Sequence, residues 1–182
     1  MIWFTSDLHL GHKNILKYCQ ARGNMFKDIY DMDTTFINTI NRYVHENDSL
    51  WILGDFAREP GPYLKRIKCK SISLMLGNHD KFAVCKQLLY AHNLQGVYSD
   101  PRTVSYSNLT FFLSHYAHVV WPGKPQGVIH LYGHSHGKLE ERLNEFEPNR
   151  QSLGIGIDEA LYYFDEFRPI SLNDIFGHFT SS

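Results

Sequence analysis

The sequence predicts an α/β fold, because strand-like and helix-like segments alternate along it. Short apolar runs rich in β-favouring residues are separated by a segment whose apolar residues recur with helical spacing. The chain has 182 residues, of which 43% are hydrophobic and 20% charged, and this is the size and composition of one ordinary globular domain. We therefore expect a single domain over residues 1–182.

Strands are predicted where a short apolar, β-favouring run stands between turn signals. In chain order these runs are residues 1–6, 49–53, 71–76, 103–106, 109–113, 128–132 and 152–157. Two consecutive runs flank Ser107 and Asn108 as the arms of a hairpin do.

Helices are predicted between several of these strands. From residue 33 to about residue 46, apolar side chains recur on one helical face, with Asp33 or Thr34 as the N-cap. Residues 62–68 and 82–90 are predicted as two shorter helices. Strand and helix therefore alternate as in an α/β sheet.

Charge and cysteine content argue against several classes of protein. Lys and Arg number 18 against 19 Asp and Glu, so no global basic surface is present to hold nucleic acid by phosphate neutralisation alone. Cys19, Cys69 and Cys85 are odd in number and lack CxxC spacing, which argues against a disulfide framework or a cysteine zinc site and favours a reducing compartment. With no basic leader and no apolar run near the roughly 18 residues of a membrane span, we expect a cytoplasmic protein without membrane association.

Polar residues gather where the apolar runs end. The chain has 11 histidines, and several stand beside Asp and Gly in short clusters. The residues that follow separate predicted strands are Asp7, His9, Asp55, Asn78, His79, His115, His134 and His136. In open α/β folds the carboxyl ends of strands present such side chains to one crevice, so we expect them to converge.

These residue types indicate a metal site. Asp oxygen, Asn oxygen and His nitrogen together ligate borderline divalent ions such as Mn, Fe, Zn or Ni. Asp7 and His9 are two residues apart, as are His134 and His136, and on an extended chain this spacing points both side chains to the same side. Each pair can hold one ion or two neighbouring ions.

The order of these residues resembles that of the calcineurin-like metallophosphoesterases, whose signature is D-x-H, G-D, G-N-H-D or G-N-H-E, a lone His, and G-H-x-H. The matching blocks run in that order from Asp7 to His136. The short chain is similar to the small bacterial and phage members of that superfamily. The resemblance implies a β-sandwich of mixed sheets flanked by helices, four layers in the order α/β/β/α, with a last strand that meets a final helix capped by Ser171.

The resemblance also implies a role for each residue. The implied ligands of two divalent transition-metal ions, with manganese favoured, are Asp7, His9 and His136 for one ion, Asn78, His115 and His134 for the other, and Asp55 for both. His79 would not ligate, but would protonate the leaving oxygen or stabilise its developing charge. The two ions would clamp a phosphoryl group and provide metal-bound hydroxide for in-line attack.

One position departs from the protein phosphatase branch of that family. There an Asp three positions after the bridging Asp orients the catalytic His, whereas this chain has Arg58. Asp80 is a candidate for that catalytic role, with capping of its turn as the alternative. Arg58, with its bidentate fork, and His12 are candidate substrate-binding residues, and a solvated loop position is the alternative for each.

Other polar residues receive structural interpretations. We expect Asp158 to form a turn and His130 to be a packed strand residue. His118 and Trp121 follow His115 closely and are candidates to line the pocket. The alternative is a surface position for His118 and a core position for Trp121. Solvated or capping positions are expected for Glu140, Glu141, Glu145 and Glu147.

The leading hypothesis is a dinuclear metal-dependent phosphoesterase that hydrolyses the phosphomonoester or phosphodiester bond of a small phosphorylated substrate. One alternative is a phosphodiesterase or nuclease specific for nucleotides or nucleic acid, with long polymers disfavoured by the near-neutral charge. A non-catalytic binding module on the same fold is the other, although every implied ligand and the catalytic His are present. The metal, the choice between monoester and diester, and the oligomeric state stay open.

Overall fold

Two mixed β-sheets packed face to face form the centre of the protein, and helices flank them. The computed structural model describes residues 1–89, 94–99 and 101–180. The described strands are β1 Ile2–Thr5, β2 Ser49–Leu53, β3 Ser71–Met75, β4 Leu94–Tyr98, β5 Arg102–Tyr106, β6 Leu109–Leu113, β7 Ile129–Tyr132, β8 Ser152–Gly154 and β9 Ile170–Ser171. This architecture confirms the predicted fold class.

The five-stranded sheet has the order β4-β3-β2-β1-β9. Strands β1 to β4 are parallel, and β9 runs antiparallel to β1. Thr5 pairs with Ile52, and Ile52 pairs with Leu74, so β1, β2 and β3 end at nearly the same level. The residues that follow these strands therefore emerge together at one edge of the sheet.

The four-stranded sheet has the order β5-β6-β7-β8. Strands β5 and β6 pair antiparallel as the predicted hairpin, whereas β6, β7 and β8 are parallel. Leu113 pairs with Leu131, which pairs in turn with Leu153. The carboxyl ends of β6 and β7 are therefore also level.

Apolar side chains of alternate strand residues face two separate cores. In β2, Leu50 and Ile52 face one core, while Trp51 and Leu53 face the other. The first core lies under the helices, and the second lies between the sheets, where Phe4, Phe111 and Leu131 also pack. Because both faces are buried, this strand is apolar throughout instead of alternating apolar with polar residues.

The described helices are α1 Ile15–Tyr18, α2 Gln20–Met25, α3 Ile29–Tyr43, α4 Pro60–Leu64, α5 Phe82–Gln87, α6 Glu140–Phe146, α7 Ile157–Phe164 and α8 Leu172–Thr180. Of these, α1, α2, α6 and α7 are absent from the sequence prediction. The helix predicted over residues 62–68 begins earlier, with Pro60 in its first turn, where a missing N–H costs no hydrogen bond. The end of the helix predicted over residues 82–90 lies outside the described residues.

The start of α3 corrects one prediction. The N-cap is Asp28, whose carboxylate accepts a hydrogen bond from the backbone N–H of Asp31 at 2.8 Å. The predicted cap Asp33 is instead buried within the helix and accepts hydrogen bonds from the Gly11 N–H at 3.0 Å and the Tyr63 hydroxyl at 2.6 Å. This carboxylate therefore ties α3 to the loop after β1.

The expected cap of the last helix is present. Ser171 Oγ accepts a hydrogen bond from the backbone N–H of Asp174 at 3.0 Å, and the Asp174 carboxylate accepts one from the Ser171 N–H at 2.8 Å. This reciprocal pair satisfies N–H groups that the first helical turn leaves without partners. Within the described part of the chain, no helix combines the length and the apolar character needed to cross a membrane.

Candidate metal centre

The ends of strands from both sheets meet at one edge of the sandwich. Two hydrogen bonds join the sheets there: the His134 N–H donates to Asp7 Oδ2 at 2.8 Å, and Nδ1 of His115 lies 2.9 Å from the carbonyl oxygen of Leu53. The residues after β1, β2, β3, β6 and β7 therefore surround one small region.

Asp7, His9 and His136 form the first ligand group. One ligand atom from each lies within 4.8 Å of the others, and His136 Nε2 is 4.0 Å from Asp7 Oδ1. Asp7 Oδ1 and His9 Nε2 are buried atoms without a hydrogen-bond partner in the structure. Burying such atoms unpaired is costly, so two of them facing the same point indicate that a ligand satisfies them.

Asp55, His115 and His134 form the second ligand group, with ligand atoms again within 4.8 Å of one another. A carbonyl oxygen can only accept, so His115 Nδ1 donates to Leu53, and the lone pair of Nε2 is directed the other way. That nitrogen lies 3.1 Å from Asn78 Oδ1. Two acceptor atoms directed at each other are suited to sharing a cation.

Asp55 lies between the two groups. Its Oδ2 is 3.5 Å from His9 Nε2 and 3.6 Å from His115 Nε2. Its Oδ1 accepts the backbone N–H of His79 at 2.8 Å, which fixes the orientation of the carboxylate. One oxygen of Asp55 is therefore nearly equidistant from one histidine nitrogen of each group.

These separations fit divalent ions. Ligand atoms bound at about 2.1 Å to one ion lie about 3.0 to 3.4 Å apart in octahedral or tetrahedral geometry. The 3.1 Å between His115 and Asn78 falls in this range, the 3.5 and 3.6 Å from Asp55 to His9 and His115 exceed it slightly, and the 4.0 Å between Asp7 and His136 exceeds it further. The mixture of carboxylate, amide and imidazole donors suits Mn, Fe, Zn or Ni.

Burial keeps the ligand atoms in the first group poorly solvated. Burial, followed by the charges of Arg22 and neighbouring histidines, lowers the pKa of His9 to about 2, so its imidazole is neutral at physiological pH. Burial raises the pKa of Asp7 to about 6 despite the opposing charge of His136. A divalent cation would favour the ionised carboxylate strongly, since an opposite charge lowers an acid's pKa.

The backbone at the centre is strained. The residues with φ between +49° and +69° include Asp7, His9, Asp55, His134 and His136. Outside the centre, the described non-glycine residues with positive φ are Ser107 and Asp165. This left-handed conformation costs an L-residue roughly 1 to 3 kcal/mol, and such strain concentrates at functional sites.

Glycine at position 133 permits close packing beside Asp7. A β-carbon there would lie 2.7 Å from Ser6 Cβ and closer still to the Asp7 carboxylate. The glycine that precedes His134 is therefore required by the space that the Asp7 side chain occupies.

The predicted catalytic and substrate-binding residues line a cleft of about 580 Å³ beside the ligand groups. His79 is exposed, and its ring lies 5.2 Å from that of His9 and 5.3 Å from that of His12. Arg58 and Lys81 line the same cleft and are exposed. His79, His12 and Arg58 thus share one open face of the centre, where a substrate can reach them.

The Asp80 side chain accepts hydrogen bonds from three backbone N–H groups. Its carboxylate accepts N–H groups of Asp55 at 2.7 Å, Phe56 at 3.2 Å and Gly77 at 2.9 Å. Burial raises its pKa to about 6, although these hydrogen bonds act in the opposite direction. Asp80 therefore joins the loops after β2 and β3, as a capping residue does, and its catalytic role stays a prediction.

Asp158 corrects the sequence prediction of a turn. It lies in the first turn of α7, is buried, and its Oδ2 is 2.6 Å from His136 Nδ1 and 2.6 Å from the guanidinium of Arg22. Burial alone would raise its pKa, but the Arg22 charge and these hydrogen bonds outweigh burial and hold the pKa well below its usual range. Asp158 is thus an ionised partner of a predicted ligand.

Glu159 is a second buried acid that sequence reasoning missed. Its Oε1 accepts hydrogen bonds from the Ser135 hydroxyl at 2.9 Å and the Gly137 N–H at 2.8 Å. These contacts fix the turn that carries His134 and His136. Burial, with the nearby Asp7 charge, raises its pKa to about 7.

The remaining polar residues have structural positions. Trp121 is buried and donates to the carbonyl of Val128 at 2.7 Å, and His130 is a packed strand residue, as expected. His118 is half-buried beside Ser114, with its ring against Phe112. Glu140 corrects a prediction, because it is buried and pairs with Arg150 instead of being solvated.

Comparisons with known proteins give distant relatives. No family model matches this chain. It is 26% identical to the uncharacterized protein MJ1445 of Methanocaldococcus jannaschii, over 94% of this chain and 87% of that protein. It is also 26% identical to the Gene 66 protein of Mycobacterium phage L5, over 86% of each.

One solved structure shows the same fold over nearly the whole chain. A protein of unknown function from Aquifex aeolicus, AQ665, superimposes with a TM-score of 0.72 at 21% identity, over 98% of both chains. A predicted phosphoesterase from Streptococcus pneumoniae gives a TM-score of 0.41 at 17% identity, over 74% of this chain and 62% of that one, which is too distant to bear on function. The chemical interpretation therefore rests on this protein's own residues.

Proposed function

We propose that this protein is a dinuclear metal-dependent phosphoesterase. The observation that carries the proposal is the position of Asp55, whose Oδ2 lies 3.5 Å from His9 Nε2 and 3.6 Å from His115 Nε2. A carboxylate oxygen between one imidazole nitrogen of each ligand group is suited to bridging two cations. Two adjacent divalent ions would polarise a phosphoryl group and lower the pKa of a shared water, which is the chemistry of two-metal ester hydrolysis.

The two ligand groups would supply the donor atoms for the two ions. The first group, completed by Asp55, offers two carboxylates and two imidazoles, and the second offers Asp55, the Asn78 amide and two imidazoles. Strained backbone and buried carboxylates hold these donors in place before any substrate arrives, so little reorganisation is needed during reaction.

We assign the protonation of the leaving group to His79. It is exposed in the cleft, and its backbone N–H is anchored on Asp55 Oδ1, so its ring extends from the centre towards solvent. An imidazole there can donate a proton to the departing oxygen. The cleft is also lined by Arg58, Lys81 and His12. Their side chains offer hydrogen-bond donors to the anionic part of a small phosphorylated substrate.

The alternatives make different predictions. A nuclease would require a basic track for a polymer, whereas the chain's formal net charge is −1. Nucleotide-sized diesters remain compatible with a cleft of about 580 Å³. A binding module would retain metal without turnover, so catalysis separates it from the enzyme.

A turnover screen of the metal-loaded protein tests the proposal. The substrates are p-nitrophenyl phosphate, bis-p-nitrophenyl phosphate, cyclic nucleotides and short oligonucleotides. We expect hydrolysis that a chelator abolishes and that added Mn²⁺ restores. The substitution Asp55→Asn should remove both this activity and the metal affinity. Asp165→Asn is the matched control, because Asp165 is exposed and has φ 54° against 50° for Asp55. Full metal binding without hydrolysis of any substrate would favour the binding module.

A further inference from the structure

Arg22 is a buried cation that the proposed chemistry does not use. Its side chain is fully buried, with an exposed fraction of 0%. Its Nε and one terminal nitrogen donate to the two oxygens of Asp158 at 2.9 and 2.6 Å. The terminal nitrogens also donate to the backbone carbonyls of Leu8 at 3.2 Å and Asp7 at 2.6 Å. One guanidinium therefore connects α2, α7 and the loop after β1.

Both ends of this network reach the first ligand group. The two carbonyls that accept from Arg22 belong to Asp7, a predicted ligand, and to Leu8, which precedes the predicted ligand His9. Asp7 has φ 58° and His9 has φ 49°. The carboxylate that Arg22 holds accepts Nδ1–H of His136 at 2.6 Å. With the proton on Nδ1, the lone pair of His136 Nε2 faces Asp7 Oδ1.

We infer that Arg22 and Asp158 are positioning residues of the first ligand group, which hold the Asp7 and His9 backbone and the His136 ring in the geometry that binds a divalent cation. The inference rests on the proposed metal centre. Arg22 and Asp158 touch no substrate in this account, and act only through the ligands.

Asp158 itself is not a ligand. A carboxylate oxygen of Asp158 lies within 4.8 Å of the Cys19 sulfur and of a His136 ring nitrogen, and these three residues together resemble another metal site. Both of its oxygens already accept from Arg22, one also from His136 and the other from the Cys19 thiol at 3.4 Å. A cation there would have to displace the guanidinium, whose positive charge also opposes it.

The network should affect one ion and not both. Within the ligand groups, the hydrogen bonds described for Arg22 and Asp158 reach the Asp7 carbonyl and the His136 ring, both in the first group. His115 of the second group is oriented instead by the Leu53 carbonyl at 2.9 Å. Loss of the network should therefore weaken the first ion and leave the second bound.

The structure supplies a matched control for loss of a buried ion pair. Arg150 and Glu140 are buried, with exposed fractions of 8% and 4%, and pair at 2.5 Å. Their described hydrogen bonds go to Tyr132, Asn144, Ser152 and Tyr163, none of which is a predicted ligand. Removing either partner alone leaves an unpaired buried charge, which commonly destabilises a protein by about 3 to 5 kcal/mol. Removing both avoids that cost, so we compare the double variants Arg22→Met/Asp158→Asn and Arg150→Met/Glu140→Gln.

The readout is Mn²⁺ binding to the 182-residue chain, by titration calorimetry and elemental analysis, with folding followed by circular dichroism. We expect two ions for the wild type and for the Arg150/Glu140 variant. The Arg22/Asp158 variant should keep one ion at wild-type affinity and lose about 10- to 100-fold affinity for the other, the usual effect of removing an outer-shell partner. Asp158→Asn alone keeps the side-chain shape but leaves the Arg22 charge without its carboxylate, so it should be less stable than the double variant. Where circular dichroism shows that it is folded, it should show the same selective loss.

Other outcomes overturn the inference. Unchanged binding of both ions by the Arg22/Asp158 and Asp158→Asn variants would show that the network is only structural. Equal loss in the Arg150/Glu140 variant, or loss of both ions together, would indicate general destabilisation. A wild-type protein that binds no ion would refute the proposed metal centre itself, and is thereby distinguished from failure of the network alone.

Discussion

Gly77 lies against Asp55 so closely that a β-carbon at position 77 would stand 2.6 Å from the Asp55 backbone nitrogen, and closer still to Oδ1. The carboxylate predicted to bridge two ions therefore occupies the space that any other residue at position 77 would need. This relationship gives the glycine of the G-N-H-D block a steric reason.

Gly77→Ala should displace Asp55 and lower turnover by about 10²-fold, the usual effect of misplacing a reactive group by about 1 Å. Because the obstructing atoms include backbone, relaxation of a flexible side chain cannot absorb the clash. Gly177→Ala in α8 is the control, since nothing lies within 4 Å of a β-carbon there. The two variants are compared in turnover and metal affinity, and wild-type values for Gly77→Ala would refute the steric argument.

His79→Ala should leave both ions bound and reduce turnover by about 10²- to 10⁴-fold, the usual contribution of a positioned general acid. The deficit should shrink for p-nitrophenyl esters, whose leaving group needs little protonation. His45→Ala, which removes an exposed histidine outside the cleft, should have no effect. Loss of metal in His79→Ala, or an equal deficit for good and poor leaving groups, would contradict the acid role.

Arg58→Ala should raise KM about tenfold or more with little change in kcat, because a charge-assisted hydrogen bond contributes about 1.5 to 3 kcal/mol to binding. The Arg58 backbone is held by the N–H donating to the Leu10 carbonyl at 3.0 Å, so the substitution should not disturb the loop. Lys86→Ala removes an exposed positive charge from α5, outside the cleft lining, and is the control. Equal KM values for both variants would show that Arg58 is a solvated loop residue that does not contact the substrate.

The pH dependence of stability should depend on His130, which is fully buried in β7 and is not one of the predicted ligands. Burial lowers its pKa from 6.5 to about 4, with the His118 and Arg150 charges acting in the same direction and the Phe112 carbonyl opposing. As pH falls from 6.5 towards 4, the unfolded chain gains a proton at His130 that the folded protein does not. Stability should fall by up to about 3 kcal/mol from this group.

Denaturant unfolding of the wild type and His130→Gln between pH 7 and 4 measures this contribution. The variant should be less stable at pH 7, yet lose less stability on acidification. Other titrating groups are common to both proteins and cancel in the difference. Parallel pH profiles would show that His130 does not control acid sensitivity.

The ligand residues could be predicted because the information is local. Each of Asp7, Asp55 and Asn78 follows an apolar run, and parallel register then brings the run ends together. The partners of these residues could not be predicted in the same way. Arg22 and Asp158 are separated by 136 residues, and each alone resembles an ordinary surface charge.

Two further errors have related causes. The apolar run that contains β8 continues into the start of α7, so the sequence predicts a strand end before Asp158, whereas the structure has the first turn of a helix there. Asp33 has the residue type of an N-cap, but its carboxylate is used by Gly11 and Tyr63, and Asp28 begins the helix. Propensity identifies residues able to cap, and tertiary contacts decide which of them does.

Anomalous diffraction from crystals soaked in Mn²⁺ tests the dinuclear centre most directly. We expect two peaks about 3.5 to 4 Å apart, the usual spacing of two-metal sites. One peak should contact Asp7, His9 and His136, the other Asn78, His115 and His134, and Asp55 should contact both. A single peak at saturating Mn²⁺, or two peaks that Asp55 does not join, would contradict the dinuclear centre.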